Sequence, residues 1–191
     1  MAEPRSPLAG KTPIATARLS LIELPHQAKI DVRGRDAVPA LVAAVTRALG
    51  AAPPLDAHQT VAAGARMVLW LGPGEWRVVG APGDAAAIVA ALQTAVPRAL
   101  AAIVDVSDSL TALRLSGAGA RDLLAQGCPL DLHPRRFAAG QCARSMLAKA
   151  DILLLQRDDA PSFDIQVRWS HAAYLWDWLA TAADDEAPAR R

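Results

Sequence analysis

A chain of 191 residues carries 20 Lys and Arg against 19 Asp and Glu. So even a balance argues against nucleic acid or an anionic membrane as the main partner, because both reward a basic surplus. At this length about two-thirds to 70% of the unfolded surface is buried, so neither disulfides nor a metal is needed for stability. Apolar residues make up 52% but aromatics only 4%, which predicts a core of Leu, Val, Ile and Ala with a few large Trp pieces. No apolar run approaches the roughly 20 residues that span a bilayer. The start "MAEPRSPLAGKTPIATARL" lacks the continuous apolar stretch of a signal peptide. Both features point to a cytoplasmic protein, with Cys128 and Cys142 as reduced thiols.

Residues 1–27 are rich in Pro, Ala and Ser and read as an extended arm with little structure of its own. "AKIDVRG" then alternates Ile30 and Val32 with polar residues, as a half-buried strand does. Asp36 is positioned to cap a helix with Pro39 in its first turn. Leu41, Val45 and Leu49 recur at helical spacing and Gly50 closes the helix. "ARMVLWL" and "WRVVG" read as strands joined by Gly72-Pro73-Gly74-Glu75. Asp84 opens a second helix through Ile88, Leu92 and Val96.

After Pro97 the same order returns. "SLTALRLSG" predicts a strand, "AGARDLLAQG" a short helix, and "CARSML" with "DILLL" a strand region. "SFDIQVRW" is a further strand, and "SHAAYLWDWLATAA" a helix capped by Ser170, with a frayed tail over 184–191. The two halves also echo one another in sequence. "PLDAH" at 54–58 returns as "PLDLH" at 129–133, "VAAG" at 61–64 as "FAAG" at 137–140, and Val32-Arg33-Gly34 answers Leu115-Ser116-Gly117. The expected fold is α+β: two pseudo-repeated β-α-β-β-α (ferredoxin-like) halves over 28–97 and 98–183, about a pseudo-twofold axis.

Several stretches invite a chemical reading. A phosphate loop needs main-chain N–H groups converging at a helix N-terminus, with a following Lys. The GPGE stretch has strands on both sides, no Lys, and a Pro that removes a donor. Pro second and Gly third suit a type II turn, so a hairpin bend is expected, with Trp70 and Trp76 close across the ladder. "LSGAGARDLL" has G-x-G after a strand, but Asp122 stands where the third glycine of a dinucleotide loop belongs. A tight strand-to-helix turn is the favoured reading.

"GCPLDLHPRR" brings Cys128, Asp131 and His133 within six residues, with Cys142 beyond. C-x4-H-x8-C is not a usual structural zinc spacing, and Cys128 after a helix-ending glycine reads as a small apolar filler. No catalytic, cofactor-binding or metal residue is assigned. His133, Arg135 and Arg136 read as an ordered surface loop, its arginines open to a partner's carboxylates. On the last helix Ala172, Leu175, Trp176, Leu179 and Ala183 share the core face. Tyr174 and Trp178 lie beside that stripe, as either an interface or the edge of the core.

"WLGPGEW", "DVSDSLTALRLSGAGARDLLAQGCPLDLHP" and "SHAAYLWDWL" together resemble the gamma subunit of heterotetrameric sarcosine oxidase, over roughly residues 28–180. The broader pattern "DVS…LRLSGAGA…L" resembles the aminomethyltransferase-like, folate-binding superfamily. The resemblance implies a non-catalytic structural subunit beside alpha, beta and delta chains, with alpha in direct contact. FAD, FMN and NAD are implied on the alpha and beta chains and zinc on delta, with none on this chain. The implied reaction oxidises sarcosine to glycine with O2, giving H2O2 and either formaldehyde or 5,10-methylenetetrahydrofolate. The superfamily's Gly-Gly-x-x-Asp-Asp-like stretch is replaced here by "LAKADILLLQRDD", where only Asp151 stands near the place of the folate acid. The alternative is a stand-alone folate-binding or aminomethyltransferase-like one-carbon protein of the same fold.

Overall fold

A computed structural model describes residues 5–35 and 38–185 of the chain. The contacts divide it into two compact units. A central unit covers His26–Ser109, and a terminal unit combines the described parts of Met1–Pro25 and Leu110–Arg191.

The central unit begins with β3 (Gln27–Gly34), numbered after two strands of the N-terminal segment, β1 (Ile14–Ala15) and β2 (Ser20–Glu23). Helix α1 (Pro39–Leu49) follows, then β4 (Thr60–Ala63), β5 (Arg66–Gly72), β6 (Glu75–Pro82), α2 (Ala85–Ala95) and β7 (Ala101–Asp105). The sheet is antiparallel in the order β4-β5-β6-β3-β7. Ile30 and Val32 of β3, with Trp76 and Val78 of β6, meet Leu41 and Val45 of α1 and Ile88 and Leu92 of α2 in one core. These are the apolar positions of the helical and alternating patterns, so local periodicity and packing agree. Gly50 ends α1 in the left-handed region at φ 75°, its N–H donating to Thr46 O at 2.8 Å. The expected cap Asp36 lies outside the described residues; Val38 precedes the helix and Pro39 starts it.

The terminal unit holds β1 and β2, then β8 (Leu110–Ser116), α3 (Ala120–Ala125), β9 (Cys142–Leu147), β10 (Ala150–Asp158), β11 (Ser162–Arg168) and α4 (Trp169–Asp185). Its order is β1-β2-β8-β11-β10-β9, again antiparallel. Leu113, Leu115, Phe163 and Ile165 pack against Leu123 of α3 and Leu175 and Leu179 of α4. In both sheets the strand before the first helix lies beside the strand before the second helix, and β2 holds beside β8 the place that β7 holds beside β3.

Three sequence-based expectations are corrected. The N-terminal stretch is no loose arm: Leu8, Leu19 and Leu21 are buried in the terminal core, and β2 pairs with β8 from Ser20↔Ser116 to Glu23↔Leu113. No local pattern signals this, because the partner ladder lies about ninety residues away along the chain. The division falls after Ser109 rather than at 97/98, because Pro97 to Leu100 is a turn (Leu100 N–H to Pro97 O, 2.9 Å) that leads into β7 on the central sheet. Ser170 is not a cap, since α4 starts at Trp169 directly after β11. The tail beyond Asp185 lies outside the described residues. Among the described residues no helix is long and apolar enough to cross a membrane.

Candidate functional site

The Gly72–Glu75 stretch is a hairpin bend between β5 and β6. Trp70 and Trp76 are register partners, Gly72 faces Glu75, and Gly74 takes φ 69°, as the third place of a type II turn requires. The two tryptophans are held by the "PLDAH" segment. Trp76, fully buried, donates its ring N–H to Pro54 O at 2.7 Å, and the His58 ring lies 6.2 Å from that of Trp70.

The "SGAG" stretch is a strand-to-helix turn closed by its own chain. Gly117 N–H donates to Pro161 O at 3.2 Å and Gly119 N–H to Arg18 O at 3.2 Å. Gly117 sits at φ 111°, and a Cβ there would stand 2.2 Å from Arg18 O, so only glycine fits. Donors that a bound phosphate would use therefore meet the segments leading into β11 and β2. Asp122 in the first turn of α3 pairs with Arg18 across 3.3 Å in an exposed bridge.

The 127–142 stretch buries its two cysteines and leaves Asp131 and His133 exposed. Cys128 is buried in the terminal core with Sγ 3.6 Å from Ser145 Oγ, as an apolar filler would be. Cys142 is buried at the start of β9, opposite Leu155. His133 is exposed, and its Nδ1 accepts the Arg135 N–H at 3.2 Å. Asp131 caps this turn through His133 N–H at 3.0 Å and lies 3.8 Å from Arg136. Among the described residues no three His, Cys, Asp or Glu come together as a metal set. The loop is ordered by Arg121 of α3, which donates to Leu132 O and Phe137 O and stacks 5.3 Å over the Phe163 ring. Burial holds the Arg121 guanidinium below its usual value, against the opposing pull of Asp159.

On α4 the core stripe is as expected, with Leu175, Trp176 and Leu179 buried. The flanking aromatics part company. Tyr174 is exposed, whereas Trp178 packs on the core and lies across Gly127, where a Cβ would be 2.7 Å from its ring. Two family-like motifs, "GCPLDLHP" and "SHAAYLWDWL", thus meet at one glycine.

Sequence reasoning missed the buried charges on the second face of each sheet. Asp31 of β3 and Arg77 of β6 are register partners joined twice, at 2.7 and 3.1 Å, with Arg33 also 3.3 Å from Asp31. Arg114 of β8 and Asp164 of β11 repeat the arrangement at 2.7 and 3.0 Å, with Arg157 3.8 Å from Asp164. Hydrogen bonding to Asp164 raises the Arg114 pKa above its usual value, against the cost of burial. The signal was present as polar letters inside apolar strands, but only the register says which pair.

The sarcosine oxidase, gamma subunit family matches residues 33–185, which include both buried ion pairs except the Asp31 carboxylate. The chain belongs to that family. Curated gamma subunits of sarcosine oxidase from Corynebacterium sp. (strain U-96) and Arthrobacter sp. are 33% identical over 118 residues and 32% over 148. The first alignment covers 62% of this chain and 56% of the relative, the second 76% and 70%. The matched segment thus spans little more than half of the Corynebacterium subunit. Among solved structures, a chain of the heterotetrameric sarcosine oxidase from Corynebacterium sp. U-96, in complex with pyrrole 2-carboxylate, aligns over 98% of both chains with TM-score 0.88 and 27% identity. The glycine cleavage system aminomethyltransferase T from Bartonella henselae aligns over 85% of this chain and 45% of its own, with TM-score 0.68 and 20% identity. That likeness is one of fold. In this gamma-family chain Asp151 lies exposed on β10 opposite Met146, at the β9–β10 hairpin.

Proposed function

We propose that this chain is the structural gamma subunit of a heterotetrameric sarcosine oxidase, assembled with alpha, beta and delta chains and in direct contact with alpha. The observation that carries the reading is the alignment over 98% of both chains with a chain of such an oxidase. The assembly would oxidise sarcosine to glycine with O2, giving H2O2 and formaldehyde or 5,10-methylenetetrahydrofolate. FAD, FMN, NAD and zinc would reside on the other subunits, and this chain would carry no active site. In support, the Gly117 turn uses its N–H groups within the chain, and the two cysteines are buried while His133 is exposed.

The matching strand neighbourhoods support a finer reading of the fold, in which the units are ferredoxin-like repeats of one ancestral half. The second repeat takes its fourth strand, β2, from the N-terminus. His133, Arg135, Arg136 and Tyr174 are exposed and would supply contacts to the partner chains, with Trp178 contributing its open edge.

The test is gentle purification of the tagged chain from its native cytoplasm, followed by subunit analysis and a visible spectrum. Three companions with flavin bands and activity on sarcosine are expected. A colourless single chain would overturn the reading and favour a stand-alone folate protein. Micromolar tetrahydrofolate binding to the isolated chain, measured by calorimetry, would overturn the absence of a folate site.

A further inference from the structure

The two sheets differ at one edge. In the terminal sheet β2 is covered on its outer side by Ile14–Ala15 of β1. In the central sheet β7 holds the matching place and has no strand on its outer side among the described residues. Its sequence, AAIVD, carries none of the Lys or Pro that commonly protect an edge, and Val104 is 45% exposed.

The ladder fixes which groups face outward. Val106 N–H donates to Lys29 O, and the registers Asp31↔Val104 and Arg33↔Ala102 keep that phase. Ala102 and Val104 therefore bond inward to β3, and the main-chain groups of Ala101, Ile103 and Asp105 turn to the open side. Beside this edge lies a groove of about 330 Å³, lined by Gln93, Val96, Arg98 and Ala101 to Ile103. Arg98 is exposed and has no acidic partner among the described residues.

We propose that an extended segment of a partner subunit adds as a further strand to β7, with an acidic side chain of that segment reaching Arg98. The main chain of β7 would supply the affinity and Arg98 the selection of charge. The proposal rests on the subunit reading above, which favours a different chain over a second copy.

The test uses the full chain, free and in the assembly purified with its companion subunits. Expected is at least about tenfold slower amide exchange at Ile103 and Asp105 in the assembly than in the free chain. Arg98→Glu should lower recovery in the assembly about tenfold, the loss carried by one charged hydrogen bond. Ile103→Pro removes an outward donor and leaves the inward ladder intact, so it should do the same while the free chain still folds. Val104→Pro breaks the inward ladder and should destabilise the free chain instead. Equal exchange of the β7 amides in both states, or full recovery of Arg98→Glu and Ile103→Pro, overturns the proposal. If Ile103→Pro fails to fold, exchange and Arg98→Glu decide. A free chain that dimerises in sedimentation, and loses the dimer on Ile103→Pro, places a second copy on the edge and overturns it too. A wild-type chain that enters no assembly overturns the subunit reading itself, and is told apart from a wild type that assembles with β7 unprotected.

Discussion

The two buried ion pairs occupy matching places with opposite polarity. The central sheet puts its acid on β3 and its base on β6, Asp31 with Arg77. The terminal sheet puts its base on β8 and its acid on β11, Arg114 with Asp164. Each is a direct cross-strand pair, each is bonded twice, and each acid has a second arginine near it. What is kept is therefore a satisfied charge pair in the middle of the sheet, not the sign at either position. The pairs differ in dryness. The Arg77 side chain is 10% exposed against 33% for Arg114, so the central pair has more to lose when broken.

The segments after each first helix show the same kind of exchange. "PLDAH" is held by the Trp76 ring N–H, whereas "PLDLH" and the turn after it are held by the Arg121 guanidinium at Leu132 O and Phe137 O. An indole and a guanidinium do one job, donating to a loop carbonyl from a rigid element.

The strongest way to break the comparison is Asp31→Ala, which removes the twice-bonded carboxylate from beside the buried Arg77. It should cost about 3–5 kcal/mol, read as a drop in urea midpoint. Asp164→Ala should cost less, about 1–3 kcal/mol, because Arg114 can turn partly to water. A larger loss for Asp164→Ala than for Asp31→Ala would refute the ranking by burial. If polarity is free, Arg114→Asp combined with Asp164→Arg should recover more than half of the loss of either single change, in a double-mutant cycle. The smallest effect concerns the two hairpin tips. Gly64 at φ 63° joins β4 to β5, and Ala148 at φ 52° joins β9 to β10. Nothing stands near a Cβ at Gly64, so Gly64→Ala should cost only the conformational term of about 1 kcal/mol. Ala148→Gly should gain up to about 1 kcal/mol and raise Tm by about 2–4 °C. Opposite signs of the two shifts in calorimetry are the outcome to check.

The legible parts of the fold were local ones. The bend at Gly72–Glu75, the closing Gly50 and the core stripe of α4 each follow from residues a few places apart. The candidate site was less legible. His133, Arg135 and Arg136 lie on an exposed loop as expected, but nothing in the helical pattern marks Arg121, which orders that loop. Tyr174 and Trp178 looked alike on a helical wheel, and only the approach of Gly127 separates them.

By itself the sequence determined the helices, the turns and the family, because periodicity, left-handed glycines and turn chemistry act between near neighbours in the chain. Tertiary structure decided the rest. It recruited Leu21 into a strand beside β8, moved β7 into the central sheet, and matched Asp31 with Arg77 and Arg114 with Asp164. Those choices turn on ladder register between distant segments, and a one-residue slip would send every side chain of a strand to the opposite face.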